Sequence, residues 1–272
     1  MRLILDPPAA GRLNMALDEA LLETAARGLV PPTLRLYTFE PPALTLGRAQ
    51  PLSDVARDAC ADACVDVVRR PTGGRAVLHD RDLTYSVVLP ISPGETIANS
   101  YDRLSRAIAL AISSLGMPAA VVPGSLDRNR SKAILERPTC PRRTDEARER
   151  PADCFAVSTV ADLVVDGRKI VGSAQVRRHG FLLQHGSIRL APGPISIERL
   201  LAQRPPSRAT SKDPLSVAEA LDVRDPGEKW LAATRASLSR AIVDALGVTW
   251  LPAGWTDHER NLAGELAARG TP

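Results

Sequence analysis

With 272 residues, 44% of them hydrophobic, the chain is long enough to bury a full core as one large domain, or as one domain with a small appendage. Its formal charge of +4 comes from 35 basic and 31 acidic residues, a mixed solvated surface, and no dense Lys/Arg stripe interleaved with aromatics points to nucleic acid. Four cysteines, at 60, 64, 140 and 154, are too few for a disulfide framework at this size; histidines 79, 179, 185 and 258 form no recognisable ligand spacing with them, so no metal site is expected.

The opening Met1-Arg2-Leu3-Ile4-Leu5-Asp6-Pro7-Pro8 is too short an apolar run for a signal peptide. No uncharged stretch approaches the roughly 20 residues that span a bilayer, so a cytoplasmic chain without membrane association is expected. Asn14 is read as the cap of a helix running to about Ala26, with Leu17, Leu21 and Leu22 buried and Gly28 just past its end. Asp18 and Glu19 suit the helix dipole. Strands are predicted at 33–39 and 43–50, split by Pro41-Pro42. A short helix over 53–64, capped by Ser53, turns Cys60 and Cys64 inward and feeds a strand at 65–70.

Gly73-Gly74 follows that strand and exposes backbone amides. The bare pattern fits either a hairpin turn or a binding loop; it lacks the spacing of a Walker loop or a dinucleotide fingerprint. Arg70 and His79 on either side favour binding. Leu83, Tyr85, Val87 and Leu89 alternate as a core strand, and Leu104, Ile108, Ile112 and Leu115 mark a helix over 101–115 that stops at Gly116. Residues 126–153 hold eight Lys/Arg and six Asp/Glu with three prolines, and read as a mobile surface loop. Cys154 is the first residue after it.

Asp166-Gly167 is a strong type I′ hairpin signal, pairing strands near 160–165 and 168–176. A two-residue loop sets Lys169 opposite Val164 and on the face of Val171, with Ile170 turned away. A lysine between Arg168 and Ile170 reads first as a solvated edge residue. Gly172, Ser173 and Ala174 shift that balance, because three small residues in a strand leave room for a ligand or another backbone. His179-Gly180 makes a second turn into a strand carrying Leu183, Ile188 and Leu190. Residues 195–221 look irregular. A helix over 230–246 uses Leu231, Leu238, Ile242 and Leu246, and the capping box Thr256-Asp257-His258-Glu259 opens a last helix with Leu262 and Leu266.

Three runs then stand in a recognisable order: Asn14-Met15-Ala16-Leu17-Asp18-Glu19; Arg69-Arg70-Pro71-Thr72-Gly73-Gly74-Arg75-Ala76-Val77-Leu78-His79-Asp80; and Gly167-Arg168-Lys169-Ile170-Val171-Gly172-Ser173-Ala174-Gln175. Together they resemble the motifs of the biotin/lipoate protein ligase superfamily over about residues 12–190. The resemblance implies an α+β fold of mixed, mostly antiparallel sheets flanked by helices, a single catalytic domain over 1–272, and closing helices over 228–270. It makes Lys169 the lysine shared across such domains, and sets Arg70, Gly73, Gly74, His79, Gly172, Ser173 and Ala174 along the acyl or lipoyl pocket, with His79 lining the pocket rather than acting as base.

Cys154-Phe155 just ahead of the hairpin narrows the likeness to the LipM type of octanoyltransferase. On that likeness Cys154 carries the acyl group as a thioester and Lys169 activates it. A free thiol titrates near 8.5, leaving about 3% thiolate at pH 7, so a neighbouring cation matters. The donor implied is octanoyl-acyl carrier protein and the acceptor a lysine of a lipoyl-domain protein such as the glycine cleavage H protein, with no cofactor. Three other readings stay open at this point: an ATP-dependent lipoate or octanoate ligase, an amidotransferase between lipoyl domains, and a non-catalytic adaptor for such domains.

Overall fold

The computed structural model describes residues 1–117, 119–121, 162–202 and 214–269. In chain order these form β1 (Arg2–Leu5), α1 (Gly11–Ala26), β2 (Thr33–Tyr37), β3 (Ala43–Leu46), α2 (Arg57–Asp62), β4 (Asp66–Arg69), β5 (Val77–His79), β6 (Asp82–Pro90), α3 (Ile97–Ser113), β7 (Ala120–Val121), β8 (Leu163–Val165), β9 (Arg168–Arg178), β10 (Phe181–Arg189), α4 (Val217–Ala220), α5 (Glu228–Ala245), β11 (Leu251–Pro252) and α6 (Asp257–Arg269). Among the described residues the main sheet runs β11-β1-β2-β6-β10-β9-β8-β7, and β4-β3-β5 form a second, smaller one. The main sheet is antiparallel from β2 to β7 and parallel where β1 joins β2 and β11. This is the mixed, mostly antiparallel α+β architecture expected.

Both faces of the main sheet are covered, which explains why its central strands are buried at nearly every position. On one face Val88 and Leu183 pack with Leu21 and Leu22 of α1. On the other, Leu83, Tyr85, Val87 and Leu89 meet Leu104, Ile108 and Ile112 of α3. Alternation along β6 and β10 sorts these two sets. The closing helices divide between the faces: α5 packs on α3 and α6 on α1. The capping box of α6 forms as expected, Glu259 N–H donating to Thr256 Oγ1 at 3.2 Å and Thr256 N–H to Glu259 Oε2 at 2.8 Å. Glu259 also pairs with Arg2, tying the C-terminal helix to the first strand.

Several boundaries differ for physical reasons. Helix α1 starts at Gly11, where an added Cβ would sit 2.9 Å from Ala43 Cβ, so the first turn lies directly on the second sheet. Asn14 is inside the helix, and its amide donates instead to the carbonyls of Ala9 and Thr38 at 2.9 and 3.0 Å. The predicted helix over 53–64 is broken, because Val55 makes a bridge to Leu201 and Ala56 N–H donates to Leu200 O. Ser53 therefore falls in a 3-10 turn and caps nothing. Cys60 is buried, but Cys64 is exposed at a φ of 52° beyond the helix end, which corrects its inward assignment. Helix α3 begins earlier than predicted, at a Thr96 cap whose hydroxyl accepts from Asn99 N–H at 3.1 Å. Within the stretch expected to be irregular, Ser216 and Glu219 form a complete capping box for α4.

Candidate active site

The loop from Arg70 to Arg75 connects β4 to β5, on the face of the main sheet that α1 covers. Its backbone is braced from within. The guanidinium of buried Arg70 donates to the carbonyls of Thr45, Gly73 and Arg75 at 3.0, 2.8 and 2.7 Å. Gly74 holds a φ of 100°, and Gly47 presses so closely on it that an added Cβ would meet Gly74 O at 2.0 Å. Gly73 and Gly74 stay exposed, so their backbone is accessible while the side chains around them hold the shape of the loop. Arg70, read from the sequence as lining the pocket, shapes the loop. His79 is buried, 2.6 Å from Asp82 through Nδ1 and 3.1 Å from Thr45 Oγ1 through Nε2, and its ring stacks on Phe39 at 4.0 Å.

The Asp166-Gly167 turn forms as its sequence predicts, at φ of 51° and 74° and with Lys169 opposite Val164. A register shift then sets Leu163 opposite Val171, and Ile170 and Val171 both enter the same core cluster, so the expected sharing of one face by Lys169 and Val171, with Ile170 turned away, does not hold. Lys169 is not a solvated edge residue. It is 3% exposed, and Nζ lies 2.8 Å from Asp162 Oδ2. Gly172, Ser173 and Ala174 stand opposite Ser187, Gly186 and His185. Gly172 and Ala174 share the α1 face with His185, whereas Ser173 points to the α3 face and bonds Tyr85 Oη at 2.7 Å. The three small residues therefore do not line one surface. Cys154, with the charged stretch 126–153 before it, lies outside the described residues.

Sequence reasoning missed the buried network behind the loop. Asp18, read only as favourable to the helix dipole, accepts from Arg35 Nη1 at 2.8 Å and Tyr37 Oη at 2.9 Å, and lies 2.9 Å from His185 Nδ1. His185 Nε2 in turn is 2.7 Å from Thr72 Oγ1 of the loop. The one signal available was the third motif's continuation into Gln184-His185-Gly186, a polar pair in an otherwise apolar strand. Burial pushes the His185 imidazole below its ordinary 6.5 and outweighs the pull of Asp18. Burial alone would raise Asp18, but the His185 hydrogen bond and the Arg35 charge overcome it, so its carboxyl lies below 3.8. Arg70 and His79, both near His185, also disfavour its cationic form.

These directions fix a pH dependence. A histidine depressed in the folded state contributes stability fully above 6.5, and loses it as pH falls below that value because the unfolded chain takes the proton first. Asp18 acts in the same sense, but only below about pH 4. Urea unfolding of the wild type minus that of His185→Gln is therefore expected to shrink by up to about 0.7 kcal/mol per pH unit at pH 6.5, with a slope of up to about 1.4 kcal/mol per unit reached a unit or more lower. A difference that is flat from pH 7.5 to 5.5 contradicts it.

Residues 10–222 match the lipoyl protein ligase A/B catalytic domain. The chain belongs to that family. Within the lipoyl protein ligase A/B family it is 38% identical, over 271 residues, to the octanoyltransferase LipM of Symbiobacterium thermophilum, covering 94% of this chain and 90% of that protein. It is 36% identical over 276 residues to the octanoyltransferase LipM of Kyrpidia tusciae, with 98% and 95% covered. The fold is similar to that of the bi-partite lipoate protein ligase of Thermoplasma acidophilum, with TM-score 0.70 at 22% identity over 98% of this chain and 92% of that one. A lipoate-protein ligase A bound with ATP gives TM-score 0.72 at 24% identity, covering 98% and 94%. No cluster of metal-ligating side chains occurs among the described residues, and no helix there is long and apolar enough to cross a membrane.

Proposed function

We propose that this lipoyl protein ligase A/B family member is an octanoyltransferase of the LipM type, serving lipoate biosynthesis through a cysteine thioester. The observation that carries the reading is a buried, ion-paired lysine on the signature strand, in a chain that aligns along nearly its whole length with octanoyltransferases. A lysine removed from water needs a reason beyond solubility, since burying a charge is costly unless it is paired. Asp162 supplies the partner and fixes the direction of Nζ.

In this reading the Cys154 thiolate attacks the carbonyl of octanoyl-acyl carrier protein, the bond to the pantetheine sulfur breaks, and that thiol leaves with a proton. The lysine amine of a lipoyl-domain protein, such as the glycine cleavage H protein, then attacks the acyl-enzyme. It loses its proton as the Cys154 thiolate departs. Lys169 stabilises the charge that develops on sulfur and carbonyl oxygen, and the Gly73-Gly74 loop borders the acyl chain. A cavity of about 410 Å³ opens beside Asp82 and Ser187, a size that substrate pockets reach, although neither Lys169 nor the Gly73-Gly74 loop lines it.

Mixing the protein with octanoyl-acyl carrier protein and a lipoyl domain in nucleotide-free buffer tests the reaction class. Octanoylation of the domain is expected at full rate without ATP. Transfer that requires ATP and releases pyrophosphate points to a ligase instead.

A further inference from the structure

Two buried chains of side chains end on the same loop. In one, Asp18 Oδ2, His185 and Thr72 are linked at 2.9 Å through Nδ1 and 2.7 Å through Nε2. In the other, Asp82 Oδ2, His79 and Thr45 are linked at 2.6 and 3.1 Å in the same sense. All six residues are buried. They start from different elements, α1 and β6, and reach the loop by different routes. Thr72 is itself a loop residue. Thr45 Oγ1 accepts from Arg70 Nη1 at 3.3 Å, and Arg70 holds the carbonyls of Gly73 and Arg75.

A carboxylate accepts from the Nδ1–H of a neutral imidazole, which leaves Nε2 as an acceptor for the threonine hydroxyl. The Asp18 carboxylate thus selects the tautomer of His185, and that tautomer aims the Thr72 hydroxyl proton. Burial keeps His185 neutral near pH 7, so its chain has this polarity. We propose that Asp18 and Asp82 are positioning residues that, through His185 and His79, hold the Gly73-Gly74 loop in its acyl-receiving shape. The acyl-receiving part rests on the loop's place in the proposed octanoyl transfer; the holding part does not.

Asp18→Asn tests the polarity without removing volume. Arg35 Nη1 donates to Asp18 Oδ1, so the asparagine must keep its oxygen there, and its amide N–H₂ then faces His185 Nδ1 and Tyr37 Oη. The imidazole flips to the Nε2–H tautomer, which donates to the Thr72 hydroxyl oxygen, so this bond reverses and the buried hydroxyl proton loses its acceptor. The expected results are a tautomer change in the His185 ¹⁵N spectrum and about tenfold faster amide exchange across 72–76, the scale of one hydrogen bond. The KM for octanoyl-acyl carrier protein is expected to rise about tenfold, with kcat changed less than about threefold. Thr72→Val and Asp82→Ala, which break the two chains at other points, are expected to loosen the same amides and keep the proposal testable if Asp18→Asn does not fold. Exchange at 72–76 within about twofold of wild type in the folded variants overturns the proposal. Faster exchange with an unchanged KM upholds the holding role and removes the loop from the acyl pocket.

Discussion

Lys169→Ala is expected to reduce octanoyl transfer about 10²-fold or more, the usual consequence of removing a group that stabilises developing charge. It is also expected to lower stability by about 3–5 kcal/mol, because it removes the cation 2.8 Å from a carboxylate, that of Asp162, whose side chain is only 2% exposed. The two effects separate in a double variant. Adding Asp162→Asn removes the buried carboxylate as well, so denaturant unfolding recovers most of the stability while transfer stays at the level of the single variant. Recovery of both together would mean that Lys169 serves only the fold. Loss of neither would remove it from the reaction and from the core at once.

Arg35→Met is expected to be the most destabilising single substitution in the network behind the loop, at about 3–5 kcal/mol by denaturant unfolding. The Arg35 side chain is fully buried, and its fork reaches in three directions: Nε to Asp6 at 2.7 Å, Nη1 to Asp18 at 2.8 Å and Nη2 to Asn14 Oδ1 at 2.6 Å. The guanidinium carbon also lies 3.8 Å from the centre of the Tyr37 ring. Methionine fills the volume but leaves two carboxylates without their cation. Lysine is not expected to rescue, since one ammonium lacks the planar fork that reaches all three partners. Combining Asp18→Asn with Arg35→Met should return part of the loss. A change under about 1 kcal/mol on Arg35→Met would show that these carboxylates find other partners.

Local chemistry was legible in the sequence wherever a short stretch decides the outcome. The Asp166-Gly167 turn set the register that places Lys169 opposite Val164, and Thr256 with Glu259 formed its capping box, because each depends on residues three or fewer positions apart. The alternation of Leu83, Tyr85, Val87 and Leu89 located a core strand for the same reason. What escaped depends on distant partners. Whether the Lys169 side chain meets water depends on its pairing with Asp162 and on what the fold lays over it, and whether Arg35 in Leu34-Arg35-Leu36 faces water is decided by α1 covering that side of the sheet. Cys64 looked like a core residue by helical spacing, but the helix ends at Asp62 and Cys64 turns out of it at a φ of 52°. Within the candidate site, the sequence named the lysine and the loop, but not the Asp18–His185–Thr72 chain, whose members lie in separate motifs brought together only by the fold.

The most direct test of the thioester chemistry is the intact mass of the protein after exposure to octanoyl-acyl carrier protein alone, with no acceptor and no nucleotide, for the wild type beside Cys154→Ala. One octanoyl group is expected on the wild type, removable by hydroxylamine, and none on the alanine variant. An alanine variant that still gains the group, or that still transfers it to a lipoyl domain at the wild-type rate, would contradict it.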